Sequence, residues 1–550
     1  MPVIERVRRG VTSLRYDVVG LWLGTALALL SFTPSLLPRG WLFQGVVAGS
    51  SAAAGYGAAV ALAALGRELL DRERRETSAR TWRAYLVALA VGTPLALVAG
   101  VVWNRQSSEL IGVDPVDPLL VVLTPVVAVV TFAALVGLGR ALRALYRRTS
   151  SWLERHTSRR AARAIGFTLV VVLTAAVFSG VLLRAVVVVM DRSASVGDLL
   201  TGQGVVQPET PLRSGGAESL VEWDGMGREG RNFVGRGPDA DRISRLTGTE
   251  AEEPIRVYAG VGNAADVRDR AELAVEDLVR AGGFARRNLL VVTTTGTGWV
   301  EPSAATSFEY LSDGDSAIVS MQYSHLPSWL SWWVDEERAT DAGRALFDSV
   351  YREWSALPPD QRPRLYAAGE SLGSFGGEAA FSGDVDMANR LSGALFSGPP
   401  IFNPLYRSFV DGRDAGSREI EPVYRGGETV RFSLDPSRGE PPGDGPWDGT
   451  RVLYLQHASD PVTWWSPRLV YQRPDWLEEP RGPDVDGAMT WIPFVTFMQT
   501  TADLALGFGT PPGTGHIFSG QHAYGWDQVL GTDWPEDRLA ELSRRTGGGG

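Results

Sequence analysis

Residues 364–381 read RLYAAGESLGSFGGEAAF, and this stretch decides the fold of the polar part of the chain. Its first residues are mostly apolar and predict a buried strand, and the residues after Ser371 are compatible with a helix. Between them, Gly369-Glu370-Ser371-Leu372-Gly373 matches the pattern Gly-x-Ser-x-Gly. In this pattern the serine occupies a sharp strand-to-helix turn, and the glycines let strand and helix pass without a clash. The stretch therefore predicts a nucleophilic hydroxyl at Ser371.

The regions on both sides repeat this alternation of strand and helix. Apolar runs that alternate with helices are typical of parallel strands joined by crossovers. We therefore predict a catalytic α/β domain with a mostly parallel, doubly wound sheet over residues 251–550. Strands are predicted at 255–261, 289–293, 316–322, 364–368, 393–396 and 451–456, helices at 264–281, 342–356 and 373–381, and a polar excursion at 402–450.

The first 190 residues are far more apolar than the rest. A transmembrane helix needs about 20 predominantly apolar residues. Five segments meet this requirement: Val18–Leu37, Trp41–Leu65, Ala84–Trp103, Leu119–Leu138 and Ile165–Met190. We therefore predict an all-α transmembrane bundle of five helices over residues 1–190. A juxtamembrane connector at 191–250, rich in Gly, Ser, Asp and Arg, would join it to the α/β domain.

Arginine residues are concentrated in alternate loops of this region. Residues 1–16, 67–83 and 140–163 carry four, six and eight arginines, whereas the loops between them carry one each. Because basic residues favour the cytoplasmic side, the N-terminus is predicted to be cytoplasmic. An odd number of spans then places residues 191–550 outside the cytoplasm, in a multi-pass protein of the plasma membrane.

The composition excludes several classes of function. The chain has 550 residues, a net charge of −10 and no cysteine. A negative chain predicts no nucleic-acid partner. The absence of cysteine excludes disulfides, thiolate metal sites and cysteine nucleophiles. We expect neither a cofactor nor a metal, and the oligomeric state stays open.

A nucleophilic serine requires an acid and a base. Asp460 follows the strand predicted at 451–456, and functional groups of open sheets lie at the carboxyl ends of strands. The order serine, acid, histidine then leaves His516 and His522 as candidate bases. His516 is favoured because it lies in a Gly-rich loop, which presents an imidazole well, and His522 stays as the alternative.

Two backbone N–H groups are needed to bind the oxyanion. One is expected from Leu372, the residue after the nucleophile. The other is expected from the loop 293–299, which follows a predicted strand, with Gly296 and Thr297 as the candidate donors.

Two regions carry more tryptophan than a minimal domain of this type needs. Two interpretations stay open: packing in the core and rim, or an acyl-chain pocket or a surface resting on lipid headgroups. The residues are Trp329, Trp332, Trp333, Trp464, Trp465, Trp476 and Trp491.

Longer motifs are spread over nearly the whole chain: Ser31–Pro38, Thr294–Trp299, Gln322–Ser324 with Pro327–Trp329, Gly369–Ser374, Tyr454–Pro461 and Pro512–His516. With these motifs the chain resembles the membrane-bound α/β-hydrolase family common in actinobacteria. The resemblance implies a triad of Ser371, Asp460 and His516. One departure is present, because family members tend to show Gly-His-Gly-His where this chain has Gly-Thr-Gly-His at 513–516. The base is kept, and any role of the first histidine is lost.

These observations predict a membrane-anchored, extracytoplasmic serine esterase or lipase. Its partners would be membrane lipids and an acyl-ester substrate, such as a lipid or an envelope glycolipid. An acyltransferase with the same triad and an envelope-assembly scaffold with a vestigial triad are the alternatives. A transporter with an appended domain is disfavoured, because no predicted span carries acidic or histidine residues for an ion relay.

Overall fold

The computed structural model describes residues 16–71, 77–175, 198, 201–326, 336–447 and 449–548, which form two compact units. The first unit comprises residues 1–184 and 465–511, and the second comprises 185–464 and 512–550. Residues 465–511 therefore fold with the N-terminal helices. The predicted division differs, since it placed all of 251–550 in one domain. That division was drawn because predicted strands and helices of the α/β pattern lie on both sides of the segment 465–511.

The N-terminal helices are Val18–Leu30, Trp41–Leu69, Ala79–Ile111, Thr124–Leu153 and Arg159–Ala175, with a short helical turn at Pro118–Val121. Within the described residues, three stretches are long and apolar enough to cross a membrane: Trp41–Leu69, Ala79–Ile111 and Pro118–Leu153.

The prediction of five spanning helices is therefore wrong for the described residues. The first predicted span is a helix of only 13 residues that ends at Leu30. A turn follows it ahead of Pro34, since a residue that precedes proline disfavours the helical conformation. The fifth predicted span is described only as far as Ala175, and its remainder lies outside the described residues.

The segment 465–511 is held within the first unit by its helix Val495–Asp503. Trp465 and Trp476 of this segment are buried, and the Trp465 indole donates to Thr501 Oγ1 at 2.8 Å. These two tryptophans therefore serve in core packing. Trp329, Trp332 and Trp333 lie outside the described residues.

The second unit is built on a parallel sheet, which confirms the predicted α/β class. Seven strands are present among the described residues, in the order β1-β3-β2-β4-β5-β7-β6, and every neighbouring pair is parallel. They are β1 Ile255–Ala259, β2 Asn288–Thr293, β3 Ser316–Met321, β4 Arg364–Glu370, β5 Gly393–Ser397, β6 Val430–Ser433 and β7 Arg451–Leu455. Strand β6 lies in the region predicted as a polar excursion, because four residues are too few for a clear pattern.

Both faces of this sheet are buried, which explains the continuous apolar runs of its strands. In β2, Leu289 and Val291 pack into one hydrophobic cluster, and Leu290 and Val292 pack into the other. The first cluster is completed by the helices Val267–Arg280, Glu336–Ala356, Leu372–Glu378, Asp384–Arg390 and Pro404–Asp411, and the second by Pro302–Leu311, Gln521–Leu530 and Glu536–Gly547.

The region predicted as a connector is folded wherever it is described beyond residue 200. It contains the helices Gly227–Arg236 and Ala240–Thr247, and Phe233 and Val234 are buried against the second cluster. Arg213 forms a parallel bridge with Arg256 of β1. Residues 201–250 are therefore part of the α/β unit. Their helices are only 10 and 8 residues long and carry few apolar residues among many charged ones, so the sequence analysis did not identify them.

Candidate active site

Ser371 lies on a strained turn between β4 and the helix Leu372–Glu378. Its φ of 54° and ψ of −122° are unusual for a residue with a side chain. A Cβ atom on Gly369 would meet the carbonyl of Gly373, and one on Gly373 would meet the carbonyl of Thr293. Both glycines are therefore required by close backbone approach, as the pattern predicts. These close backbone contacts hold the serine in its strained conformation at the carboxyl edge of the sheet.

Asp460 and His516 form a buried pair at the same edge. Asp460 follows β7 and is fully buried, and its Oδ2 lies 2.7 Å from Nδ1 of His516. The backbone N–H of Val462 donates to Oδ1 at 2.8 Å, and the Thr463 hydroxyl donates to Oδ2 at 3.2 Å. These bonds fix the carboxylate, which in turn fixes the orientation of the imidazole.

The imidazole of His516 lies beside the strand that supports the Ser371 turn. The N–H of Ser371 donates to the carbonyl of Ser397, the last residue of β5, at 2.9 Å. A Cβ atom on the next residue, Gly398, would lie 2.5 Å from Cε1 and 2.9 Å from Nδ1 of His516. The structure thus brings Ser371, Asp460 and His516 to one edge of the sheet, and their catalytic roles stay a prediction.

The electrostatic surroundings of His516 favour its protonated form. Burial lowers the pKa of His516, but the charge of Asp460, its hydrogen bond to the imidazole and the charge of Glu370 raise it, and the net shift is upward. A base that must accept a proton from a serine hydroxyl benefits from this arrangement, because the imidazolium is stabilised where it forms.

A second histidine holds the loop that carries His516. The carbonyl of Gly515 lies 2.8 Å from Nδ1 of His457, and the N–H of Gly515 donates to Ser459 Oγ at 2.9 Å. The His457 ring also stacks on Phe518, with 4.2 Å between ring centroids. His457 and Ser459, which precede Asp460, therefore hold Gly515, which precedes His516. These contacts fix the position of the candidate base relative to the candidate acid.

The alternative base, His522, occupies a different environment. Its Nε2 lies 3.0 Å from Ser397 Oγ, and its Nδ1 lies 3.3 Å from Ser303 Oγ. Burial lowers the pKa of His522 to about 4, against a smaller raising effect from Glu301. A histidine that stays neutral, in contact with serine hydroxyls, is a poorer base than one paired with a carboxylate. The geometry therefore favours His516, which the sequence order alone did not decide.

The predicted oxyanion loop lies beside the Ser371 turn. Thr293, the last residue of β2, is paired with Gly369 of β4, and the loop 294–299 follows it directly. Two consecutive carbonyls of this loop are held by buried donors: Thr297 O accepts from Gln322 Nε2 at 3.2 Å, and Gly298 O accepts from the Tyr258 hydroxyl at 2.6 Å.

The hydrogen bonds from Gln322 and Tyr258 fix the conformation of the loop 294–299. Leu372 is the first residue of its helix, where a backbone N–H has no partner within the helix. Leu372, Gly296 and Thr297 stay the predicted oxyanion donors.

The sequence analysis missed three carboxyl groups near this site: those of Glu301 and Glu378, which are buried, and that of Glu370, whose side chain is 11% exposed. Burial raises the pKa of Glu301 and of Glu370 to about 7 and that of Glu378 to about 8. Glu370 occupies the first variable position of the Gly-x-Ser-x-Gly pattern. Its place beside the predicted nucleophile was the only feature of the sequence that could have indicated a role near the site. The other two carried no sequence signal, because their burial depends on the packing of distant helices.

Comparisons with known proteins agree with the α/β fold. A family model described as the alpha/beta-hydrolase family matches residues 255–542, which is more than half of the chain. A second model, described as the N-terminus of that family, matches residues 32–238. Neither a search of curated proteins nor one of solved structures finds a match. The resemblance read from the motifs is confirmed at the level of the family, and the chain belongs to this alpha/beta-hydrolase family.

Proposed function

We propose that this protein is a membrane-anchored serine hydrolase that cleaves acyl esters, with Ser371 as nucleophile, His516 as base and Asp460 as the partner of the base. The observation that carries this proposal is the 2.7 Å contact between His516 Nδ1 and Asp460 Oδ2, at the edge of the sheet where the strained turn holds Ser371. Membership in the family supports a hydrolase in general.

The reaction would follow the steps of acyl transfer to serine. Ser371 Oγ attacks the ester carbonyl, and His516 takes the serine proton and gives it to the leaving alcohol. Water then attacks the acyl-enzyme, gives a proton to His516 and releases the carboxylic acid, and the proton returns to Ser371. The N–H groups of Leu372 and of the loop 294–299 would bind the negative oxygen of both tetrahedral intermediates.

Anchoring in a membrane is supported by the surface of the N-terminal helices. Leu95 of the helix Ala79–Ile111 and Val129 of the helix Thr124–Leu153 are 64% and 66% exposed, and many apolar neighbours are exposed with them. Water-soluble proteins rarely expose so many neighbouring apolar side chains in one large patch. An extracytoplasmic catalytic unit further requires that the fifth predicted segment, Ile165–Met190, cross the membrane, because the arginine-rich residues 140–163 that precede it are expected on the cytoplasmic side. We therefore expect acyl esters of membrane lipids or of envelope glycolipids as substrates.

The test is labelling of the full-length protein in membranes with a fluorophosphonate, which reacts with activated serines. Wild type should be labelled, and Ser371→Ala should not be. Asp460→Asn should slow labelling by a factor on the order of 10⁴, because the imidazole loses its orienting carboxylate. Ser408→Ala, which removes an exposed hydroxyl elsewhere in the unit, serves as the control and should be labelled like wild type.

The outcome also separates the alternatives. A folded wild type that resists labelling would overturn the proposal and would favour a scaffold. If Ser371 is labelled, addition of an alcohol acceptor to an ester assay distinguishes acyl transfer from hydrolysis, since only a transferase forms the new ester in preference to the free acid.

A further inference from the structure

The motif Gln322–Ser324 is one of the long motifs of the sequence, and the proposed reaction gives it no role. Gln322 follows β3 directly and therefore lies at the carboxyl edge of the sheet, the edge that carries Ser371. Its side chain is buried, its backbone N–H donates to the carbonyl of Ala259 at 2.9 Å, and its carbonyl accepts from Arg270 Nη1 at 2.8 Å. A buried side-chain amide needs partners for its own polar atoms as well.

The Gln322 amide joins three other segments of the chain. Its Nε2 donates to the Thr297 carbonyl at 3.2 Å and to Asp198 Oδ2 at 3.1 Å, and its Oε1 accepts from the Val261 N–H at 3.2 Å. The amide nitrogen has two hydrogens and each meets an acceptor, while the amide oxygen meets a donor. These partners fix the orientation of the amide, because the reverse orientation would turn its oxygen towards a carbonyl and a carboxylate.

The loop that Gln322 contacts contains a tight turn at 295–298. The N–H of Gly298 donates to the carbonyl of Thr295 at 3.0 Å, and the N–H of Thr295 donates to the carbonyl of Trp299 at 3.1 Å. Gly298 has a φ of 87°, and a Cβ atom there would meet the Tyr258 hydroxyl and Gln322 Cγ. The turn therefore packs directly on these two side chains, and only glycine leaves room for that contact.

Thr297 is the residue of this turn whose carbonyl is held by Gln322. Among the described residues, its own N–H has no acceptor. A backbone N–H without an acceptor inside the protein is available to a ligand, and such groups are what an oxyanion requires. The bond to the carbonyl also limits how far the N–H can turn, because both groups belong to planar peptides that meet at the Cα atom of Thr297.

The carboxylate of Asp198 is held by further partners on its other side. Its Oδ1 accepts from the Arg228 N–H at 2.7 Å, and its Oδ2 lies 3.0 Å from Nδ1 of His325. The backbone carbonyl of Asp198 accepts from Arg231 Nη2 at 2.6 Å. Burial raises the pKa of this carboxyl, but hydrogen bonds from His325, Gln322 and the Arg228 N–H lower it, and the net shift is downward. The ionised form makes the bond with Gln322 stronger than a bond between neutral groups.

We propose that Gln322 is a positioning residue that acts on the oxyanion through Thr297, and that the carboxylate of Asp198 anchors it. This inference rests on the proposed function. The amide bridges the Thr297 carbonyl and the carboxylate, so the N–H of Thr297 keeps one orientation before the negative oxygen forms. A donor that is held in advance does not have to reorganise as Ser371 attacks. No proton or electron moves through these bonds, so they add no step to the reaction.

The experiment measures the rate of fluorophosphonate labelling of the full-length protein in detergent over a series of probe concentrations. The phosphoryl oxygen of the probe gains negative charge as Ser371 attacks, so the rate reports on the oxyanion donors. Gln322→Met keeps the length of the side chain and removes both bonds of Nε2. The maximal rate should fall on the order of tenfold or more, with the half-saturating probe concentration unchanged, because the affected interaction forms only in the transition state. Gln361→Met, the same substitution at an exposed glutamine, is the control and should match wild type.

A second variant tests the anchor. Asp198→Ala should lower the maximal rate several-fold, and the double variant should be labelled no more slowly than Gln322→Met alone, because both changes act through one contact. Losses that multiply in the double variant would overturn the inference. So would a smaller labelled fraction with an unchanged rate, since that is the result of a merely structural role.

A wild type that is not labelled at all overturns the proposed function instead, which is a distinguishable result. Should Gln322→Met fail to fold, Asp198→Ala decides, because the Asp198 side chain is 13% exposed and lies outside the sheet. A several-fold lower maximal rate in that variant then supports the inference, and a wild-type rate overturns it.

Discussion

Arg39 and Asp503 are 464 positions apart in the sequence and form a buried ion pair, with 3.3 Å between Nη1 and Oδ1. The Ser35 hydroxyl donates to the same carboxylate. Gln499, one turn earlier on the same helix, donates to the carbonyl of Thr33 at 2.9 Å. The motif Ser31–Pro38 thus binds the segment 465–511 within the first unit. That segment separates Asp460 from His516 in the chain, so acid and base are joined by residues that fold with the N-terminal helices.

Removal of Asp503 should destabilise the first unit strongly. Asp503→Leu leaves the Arg39 guanidinium buried without its counter-charge, which costs on the order of 3–5 kcal/mol in unfolding free energy. The double variant with Arg39→Met should recover part of this loss, because no charge then stays buried. The measurement is thermal unfolding of the full-length protein in detergent. Arg352→Ala breaks a solvent-exposed pair with Glu272 and is the matched control, expected to unfold like wild type. Equal shifts for Asp503→Leu and the control would contradict the prediction.

A side chain at Gly398 should displace the imidazole of His516. Gly398→Ala places a Cβ atom 2.5 Å from His516 Cε1, and a misplaced base should lower the rate of fluorophosphonate labelling on the order of a hundredfold. Gly416→Ala is a matched control, since Gly416 also has a positive φ but faces open space. Both variants carry the backbone strain, so only the contact with His516 distinguishes them. The check is the rate of fluorophosphonate labelling at a pH where the wild-type rate no longer increases with pH. Equal rates for the two variants would show that labelling does not depend on the observed position of the imidazole.

The stability of the α/β unit should fall as the pH rises, and Glu378 should contribute to this. Burial raises the pKa of Glu378 to about 8, against hydrogen bonds from Tyr454, Leu405 and Tyr406 that lower it. The folded state therefore binds more protons than the unfolded state between about pH 4.5 and about pH 8. In that window the free energy of unfolding decreases with rising pH, because the unfolded carboxyl ionises first.

The measurement is the denaturant midpoint of unfolding at a series of pH values. Glu378→Gln is neutral at every pH and should reduce the slope of this midpoint across the window. Glu428→Gln, an exposed glutamate, should keep the slope of wild type. A wild-type slope in Glu378→Gln would mean that another group carries the pH dependence.

Much of the α/β unit could be predicted because its strands have local signals. Strands β1 to β5 and β7 fall where apolar runs were found, and the turn at Ser371 follows from the glycines on both sides of it. Strand β6 and the helices at 227–247 were missed, because four to ten residues with few apolar side chains are too short for a recognisable pattern. Among the described residues the count of membrane-spanning helices was overestimated, since an apolar run around Pro34 was counted as helix.

The sequence by itself determined the features that depend on neighbouring residues in the chain. These are the buried strands, the turn at Ser371 that only its flanking glycines permit, and the position of Asp460 after β7. Only the tertiary structure decided which histidine meets Asp460, that Glu370 and Glu301 line one small cavity, and that Arg39 pairs with Asp503. The reason is physical. Local sterics and periodicity act over a few residues, whereas charge pairing and burial depend on which distant segments the folded chain brings within a few ångströms of each other.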